Sequence, residues 1–591
     1  MLITLLSWAY MGVLCLIAGT GIRRILIHLG LLREQNTGGS MAAVITGIVG
    51  LTVFAEYFSI FYRVGILAHL LMLSAILLVG WKCRSELSCE FRRIQQILLS
   101  AEGPLLVCLI LITAFYTSRG TFHTDTGIYH AQAIRIIEEY GVVKGIGNLQ
   151  LHFAYNSSYL VFAALFTMSW ILPAALHTTT GFLAVLLVCY AVHGLFRIRE
   201  HEQHSADAVR IAILIYYLTN VTGSVSPVTD YGTMYMVLYL LCAWADLMEW
   251  QLKKKMYLDN IADFYSAAVM RYSMLSVLSI FIVSMKLSAA SMAILTIYPF
   301  MELVRKGWGK KIGGLISAGL ISVLPYLIRN ILISGWLLYP VRVIDLFHVE
   351  WKIPAVYLDK DVGQIKAWGR CLYDVAKLDL PLRSWVPVWW AGQQHYEQML
   401  IMAQLLALFL LVFRIIYSVG NVRRVREIRW EKTVFYLVLL TGLLLWFFTA
   451  PFIRYGLALL LVFPLCTGAD TLMWILQGRK AHQRLWMAIF NTIAGFLLMF
   501  IFLCFTSWLD NYAEDDLVFA KHEIRSPYYL LQEPFPDAET GSEKLNGNSV
   551  YYSEHGEINS YYHCPSTCYR FMLDRSELIG DTIQDGFRAK Q

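Results

Sequence analysis

The chain has 591 residues, 57% of them hydrophobic and only 15% charged, with 34 Tyr, 31 Phe and 17 Trp. So little charge cannot cover the surface of a soluble protein of this length, which excludes a water-soluble globular protein and places the chain among membrane proteins. The net charge of +6 comes from Lys and Arg clustered beside apolar runs, the pattern of membrane topology and not of nucleic-acid binding.

Runs long enough to cross about 30 Å of hydrocarbon recur along the chain, and they read as helices because lipid offers no partner to an unpaired strand edge. About fourteen are expected. They lie near 1–18, 41–61, 64–81, 97–116, 179–195, 208–223, 232–250, 270–287, 289–303, 313–335, 398–416, 433–450, 455–475 and 485–508. The first has no basic segment before it and no small-residue cleavage site, so it is read as structure and not as a signal peptide.

Sorting the short loops onto alternate sides gives a clear asymmetry. One set, running from Arg23, Arg24 and Arg33 through Lys253, Lys254 and Lys255 to Arg423, Arg424, Arg426, Arg479, Lys480 and Arg484, holds 24 basic residues in seven segments. The opposite short loops hold Arg63 and Arg454. The positive-inside rule makes the first set cytoplasmic, so loops 117–157 and 336–397 and the tail from 509 face outward. This assignment requires that the apolar stretch 158–176 does not cross, and it is expected to be a partly buried interfacial or re-entrant helix.

The first outer loop opens "HTDTGIYHAQAIRIIEEYG". Ile128, Ala131, Ile134, Ile136 and Ile137 with charges between them predict an amphipathic helix on the bilayer surface, with Asp125 near its N-terminus. The plain alternative for Asp125 is a helix N-cap. His123 and His130 are too few ligands for a zinc site, and no metal is expected.

"SVSPVTDYG" places Asp230 on the same side, or is simply a turn. "VSMKLSAA" places Lys286 at a seam between apolar helices, where it either snorkels or meets an anion. "YLIRNILISGW" carries Arg329 in the outer half of a span, where a guanidinium needs a partner. "FFTAPFIRYG" carries Arg454 just after the helix-breaking Pro451. Two carboxylates and three cations thus share one face, which suits a site for a lipid-linked anion that also activates a hydroxyl.

Trp351, Trp368, Trp385, Trp389 and Trp390 in the second long loop suit sugar rings or the lipid interface. Cys564 and Cys568, four apart in the tail, allow a small disulfide loop if that tail is outside. No P-loop, dinucleotide fingerprint, HExxH or nucleophile elbow occurs.

A polytopic chain with an acidic residue in its first long outer loop resembles the GT-C superfamily of membrane glycosyltransferases. The order "DTGIYH…GNLQLHFAYNSSYL", "SPVTDYG", "MKLSAA", "RNILISGWLLYP", "APFIRYG" and a closing "DGFR" looks more closely like a family of large bacterial membrane proteins associated with surface-polysaccharide genes. The similarity covers most of residues 100–460 and returns in the tail. It departs at Gln150 and His152, which stand where that family carries a His and an Arg, and at "YYHCPSTC", which bears on donor or acceptor identity more than on the reaction.

The resemblance implies an all-α polytopic GT-C-like fold, with a transmembrane domain over 1–508 and a small extracytoplasmic tail over 509–591. It implies an inverting glycosyltransferase of the plasma membrane that needs neither metal nor other cofactor. A sugar would pass from a polyprenyl-phosphate-linked donor to a glycan or lipid-linked acceptor on the outer face. Asp125 would be the general base, with Lys286, Arg329 and Arg454 on the donor phosphate. His130 and Asp230 would orient the acceptor, and Asn156 of the "AYNSS" motif would join them in binding substrate. Other polysaccharide-assembly proteins would be partners. Competing readings are a polysaccharide polymerase, told apart by a long-chain product; a flippase or exporter of lipid-linked glycans, which needs charges along a path through the bilayer; and a non-catalytic scaffold.

Overall fold

The computed structural model describes residues 1–33, 39–201, 204–257, 261–420, 429–475, 480–514 and 529–590. Arg423, Arg424, Arg426 and Arg479, used above for sidedness, lie outside the described residues.

Among the described residues, nineteen α-helices precede the tail. The first nine are α1 (Leu2–His28), α2 (Ser40–Phe61), α3 (Ile66–Lys82), α4 (Arg84–Leu98), α5 (Gly103–Arg119), α6 (Ala131–Tyr140), α7 (Ser158–Leu165), α8 (Thr179–Phe196) and α9 (Ser205–Asn220). There follow α10 (Thr229–Tyr257), α11 (Ile261–Met285), α12 (Ile297–Arg305), α13 (Gly309–Ser334), α14 (Ala355–Gly369), α15 (Leu382–Ala391), α16 (His395–Gly420), α17 (Trp430–Thr449), α18 (Ile453–Ile475) and α19 (Lys480–Glu514).

Among the described residues, 12 helices are long and apolar enough to cross a membrane, against the fourteen expected. The two that fall short, α3 and α5, have 17 residues each. Between them the sequence reading left a basic loop, but Arg84–Leu98 is an amphipathic helix turned 91° from α3. It lies across the end of the bundle, where Glu90 meets Arg93 and Arg23 and Glu86 meets Arg24. The span expected at 289–303 begins as a ten-residue 3₁₀ segment, Leu287–Thr296, before α12.

Helices α1 and α2 cross with their backbones in contact. A Cβ on Gly19 would stand 1.8 Å from the Ala43 carbonyl oxygen, and one on Gly47 1.8 Å from that of Cys15. Small residues permit this approach, which replaces the hydrophobic driving force that lipid cannot supply.

Helix α7 has eight residues, about 12 Å of rise, too short to cross. Ser158 contacts Glu56 and Ser284, and beyond an exposed tip at Trp170 and Ile171 the chain returns so that Thr180 bonds Ser226. The stretch 158–176 is therefore a buried half-span with a surface tip.

Helix α6 does not float on a bilayer surface with its polar face in water. Its apolar face packs on the bundle, and its polar face is roofed by the tail: Gln132 donates to the carbonyls of Ser560 and His563, and Tyr561 donates to Glu138 at 2.7 Å. Helix α19 runs to Glu514, beyond the boundary expected at 508.

The tail fold is a hairpin, β1 (Thr540–Leu545) and β2 (Asn548–Ser553), turned by Asn546-Gly547 with positive φ at both positions. The short β3 (Ser566–Thr567) pairs parallel to β2, and β4 (Ser576–Leu578) pairs antiparallel with β5 (Phe587–Ala589). Val550, Leu573, Leu578, Ile583 and Phe587 share one core with Ile136, Val143, Ile146, Leu149 and Phe153 of the first loop. Loop and tail are thus one unit seated on one end of the bundle.

Candidate functional site

The chain leaving α5 is laid on the loop before α10. Thr121 N–H bonds the Thr222 carbonyl at 2.9 Å, and His123 N–H bonds Ser226 Oγ at 2.8 Å. Asp125 follows with helical dihedrals (φ −59°, ψ −23°) and leads into a π-helical turn, Thr126–His130, before α6. Its side chain caps no backbone N–H, which removes the N-cap reading. Such π turns widen the backbone and often mark functional sites.

The carboxylate of Asp125 faces Arg454, with Oδ2 3.3 Å from Nη2. Arg454 stands in the first turn of α18, directly after the break at 450–452. That break is held from two sides, Trp389 Nε1 donating to the Pro451 carbonyl at 3.1 Å and Trp446 Nε1 to the Phe452 carbonyl at 2.6 Å. Lys286, in extended conformation at the end of α11, pairs with Asp230 in the first turn of α10. The ring of Tyr455 joins the two pairs, 4.5 Å from Lys286 Nζ and 5.0 Å from the Arg454 guanidinium. Asp125, Asp230, Lys286 and Arg454, spread over 330 residues, therefore meet.

His123 completes the cluster, and the sequence reading missed it except as a failed zinc ligand. Arg454 Nη1 donates to its Nε2 at 2.7 Å. Nδ1 lies 3.1 Å from the Asp125 backbone N–H and 3.7 Å from Asp125 Oδ2, two contacts that call for opposite tautomers. With Nε2 accepting from an arginine, the proton belongs on Nδ1, where it faces the carboxylate. Burial lowers the His123 pKa; Asp125 and Asp230 oppose the shift, and Arg454 and Lys286 add to it.

His130 lies beside these charges and is fully buried, with neither ring nitrogen hydrogen-bonded among the described residues. Burial first, then the positive groups Lys286, His123 and Arg454, holds its pKa well below the ordinary range, so the ring is neutral. Its one ring N–H donor and one acceptor nitrogen are both open. Tyr129 stacks between His130 (4.0 Å) and His152 (5.1 Å), and burial next to Asp125 keeps its phenol protonated.

Arg329 and Asn156 do not join the cluster. Arg329 donates to Ser59 Oγ and, at 3.2 Å, to Asn156 Oδ1, and Asn156 in turn donates to the Tyr326 carbonyl at 3.0 Å. The adjoining cavity of about 30 Å³ has room for roughly two waters, far too little for a substrate. Arg329 points inward along the helix interface with Glu56 and does not reach the outer surface, so the third cation expected for a donor phosphate is absent from this site.

Gln150 is a structural tie. Its Oε1 accepts from Cys568 N–H, Asn559 and Thr567 at 3.2–3.3 Å, and its Nε2 donates to the Ile128 carbonyl. Cys568 Sγ turns to the Ile128 carbonyl at 3.0 Å, and Cys564 and Cys568 are free thiols, not a disulfide. Of the loop tryptophans, Trp385 and Trp389 are buried against Trp446 and Phe447 and offer no face to a sugar, whereas Trp368 is exposed.

The carboxylates, cations and open imidazole all come from residues 123–454. No curated protein and no solved structure matches the chain. A family model described as a domain of unknown function (DUF8201) matches residues 1–461, well over half of the chain and all of this cluster, and the chain belongs to that family.

Proposed function

We propose that the protein is a multi-pass plasma-membrane glycosyltransferase of GT-C type, moving a sugar from a polyprenyl-phosphate donor to a glycan or lipid-linked acceptor outside the cell. The observation that carries this reading is the pairing of Asp125, 18% exposed, with Arg454, 37% exposed, at one end of an apolar bundle. A part-exposed ion pair is weak and exchangeable. A donor phosphate that takes Arg454 releases Asp125 from it.

The acceptor hydroxyl oxygen then attacks the anomeric carbon while Asp125 takes its proton. The bond from that carbon to the phosphate oxygen breaks, and polyprenyl phosphate leaves with its charge held by Arg454 and Lys286. His130, fully buried beside these groups, does not reach the acceptor, and Asp230 holds Lys286 in place. Arg329 and Asn156 have no step here.

Asp125→Asn in the native host, at equal protein level and insertion, tests the reading. Loss of the glycan modification with accumulation of donor lipid is expected, at a cost of about 10²–10⁴ in turnover. Normal glycan would sink the assignment of Asp125 as base. A long-chain product would identify a polymerase.

A further inference from the structure

On the tail lies a shallow, solvent-open groove walled by Tyr552, Glu554, His555, Tyr569, Arg570 and Phe571. Tyr569 and Phe571, 38% and 57% exposed, stack side by side at 5.5 Å with planes 25° apart, presenting a flat aromatic platform to solvent. Gly556, at φ +71°, passes close beneath that platform; a Cβ there would stand 2.7 Å from the Tyr569 ring.

The rim is polar, with Glu539, Glu543 and Glu554 against Arg570. Arg570 pairs with Glu543 at 2.8 Å, and His555 with Glu539 at 3.2 Å. Such a rim gives no positive field to draw a phosphate or an anionic bilayer, yet it supplies donors and acceptors for hydroxyl groups around an aromatic face. An extended polyhydroxylated ligand fits this combination.

One loop joins the groove to the π turn beside the cluster. Three residues after Gly556, Asn559 N–H donates to the Gly127 carbonyl at 2.7 Å, in the π turn that follows Asp125. The Ile558 side chain lies over Gly127. The wall of the groove and the cover of the π turn are thus one loop, with no more than about 20 Å of chain between Glu554 and that contact.

We propose that the Tyr569–Phe571 groove is a saccharide-binding subsite that holds the body of the acceptor glycan while its end reaches Asp125; this rests on the glycosyltransferase reading above. Nothing in the matched family region, which ends at residue 461, includes it.

The test uses the full chain in detergent micelles and oligosaccharides of graded length released by mild acid from the native host's surface glycan. Direct binding and turnover are measured for wild type, Asp125→Asn, and the double variant Tyr569→Ala/Phe571→Ala. Wild type and Asp125→Asn are expected to bind the longer oligosaccharides equally, and the double variant at least about tenfold more weakly. In turnover the double variant should raise KM for long acceptors by a similar factor, with kcat and the use of short acceptors unchanged. Equal binding by all three proteins, or none by wild type, overturns the subsite whatever Asp125 does. Groove-dependent binding with full turnover in Asp125→Asn leaves the subsite standing and removes the base.

Discussion

Two charged layers occupy opposite ends of the bundle, and they are built on different terms. At the end away from Asp125, Asp207 accepts from His201, His204 and Arg210 at 2.8–2.9 Å, Arg210 reaches on to Asp246, and Tyr190 closes that carboxylate at 2.7 Å. Asp470 is held alike by Ser205, Tyr436 and Lys432. Asp246 lies sixteen residues along α10 from Asp230, about 24 Å. The layer around Asp125 has part-exposed pairs, an imidazole whose two nitrogens are unbonded among the described residues, and no surplus of positive charge. Charge therefore lies at both ends of the bundle; what distinguishes the layer around Asp125 is that its ion pairs are part-exposed and that both ring nitrogens of His130 stand without a hydrogen-bond partner among the described residues. A carboxylate held by two or three partners stabilises, and a part-exposed pair can exchange one partner for a ligand.

The sharpest way to break this contrast is Asp207→Ala. It removes one of the two carboxylates that hold the buried Arg210, together with the shared acceptor of His201 and His204, and should cost about 3–5 kcal/mol, seen as a lower unfolding midpoint in detergent; a change under about 1 kcal/mol would show this layer to be no more structural than the one around Asp125. Lys286→Met removes the partner of Asp230, which is 2% exposed, and should cost about 1–3 kcal/mol. Trp389→Phe loses one hydrogen bond to the Pro451 carbonyl, about 1 kcal/mol, and should weaken turnover by letting Arg454 shift. Asp125→Asn should change stability by less than about 1 kcal/mol while turnover collapses. Equal destabilisation by Asp125→Asn and Asp207→Ala would erase the distinction.

The smallest effect concerns pH. His123 and His130 have folded pKa values below the ordinary value of about 6.5. As pH falls through that value, the unfolded chain takes up protons first, so stability holds above about pH 6.5 and declines below it, toward the folded pKa values. His130→Phe should flatten the decline between pH 7.5 and 5 in a melting series. An unchanged slope would place the titration elsewhere.

Four of the five charged residues singled out in the sequence meet, because each sits where a span breaks: before the π turn, after Pro227, at the end of α11 and after Pro451. Breaks are legible in residue type, and alternation of sides brings them to one end. Arg329 was misread because depth in a helix does not say which way a side chain turns; it faces Ser59 and Asn156 within the helix interface. His123 was missed because a lone histidine next to an aspartate has no distinctive spacing, and its role depends on an arginine 331 residues away. The roof over α6 was invisible for a similar reason: an amphipathic period reports that one face is apolar, not what covers the other.

That roof has a consequence for the order in which the protein comes into being. Gln132 is anchored by Ser560, 428 residues later in the chain. At roughly 5–20 residues per second of synthesis, the turn carrying Asp125 waits about 20–90 s for its cover, through the insertion of most of the bundle. Until then the polar face of α6 lacks its cover and the loop and tail have no joint core, so chains truncated or stalled between Arg454 and the tail carry every charged residue of the cluster without the scaffold that sets them in place.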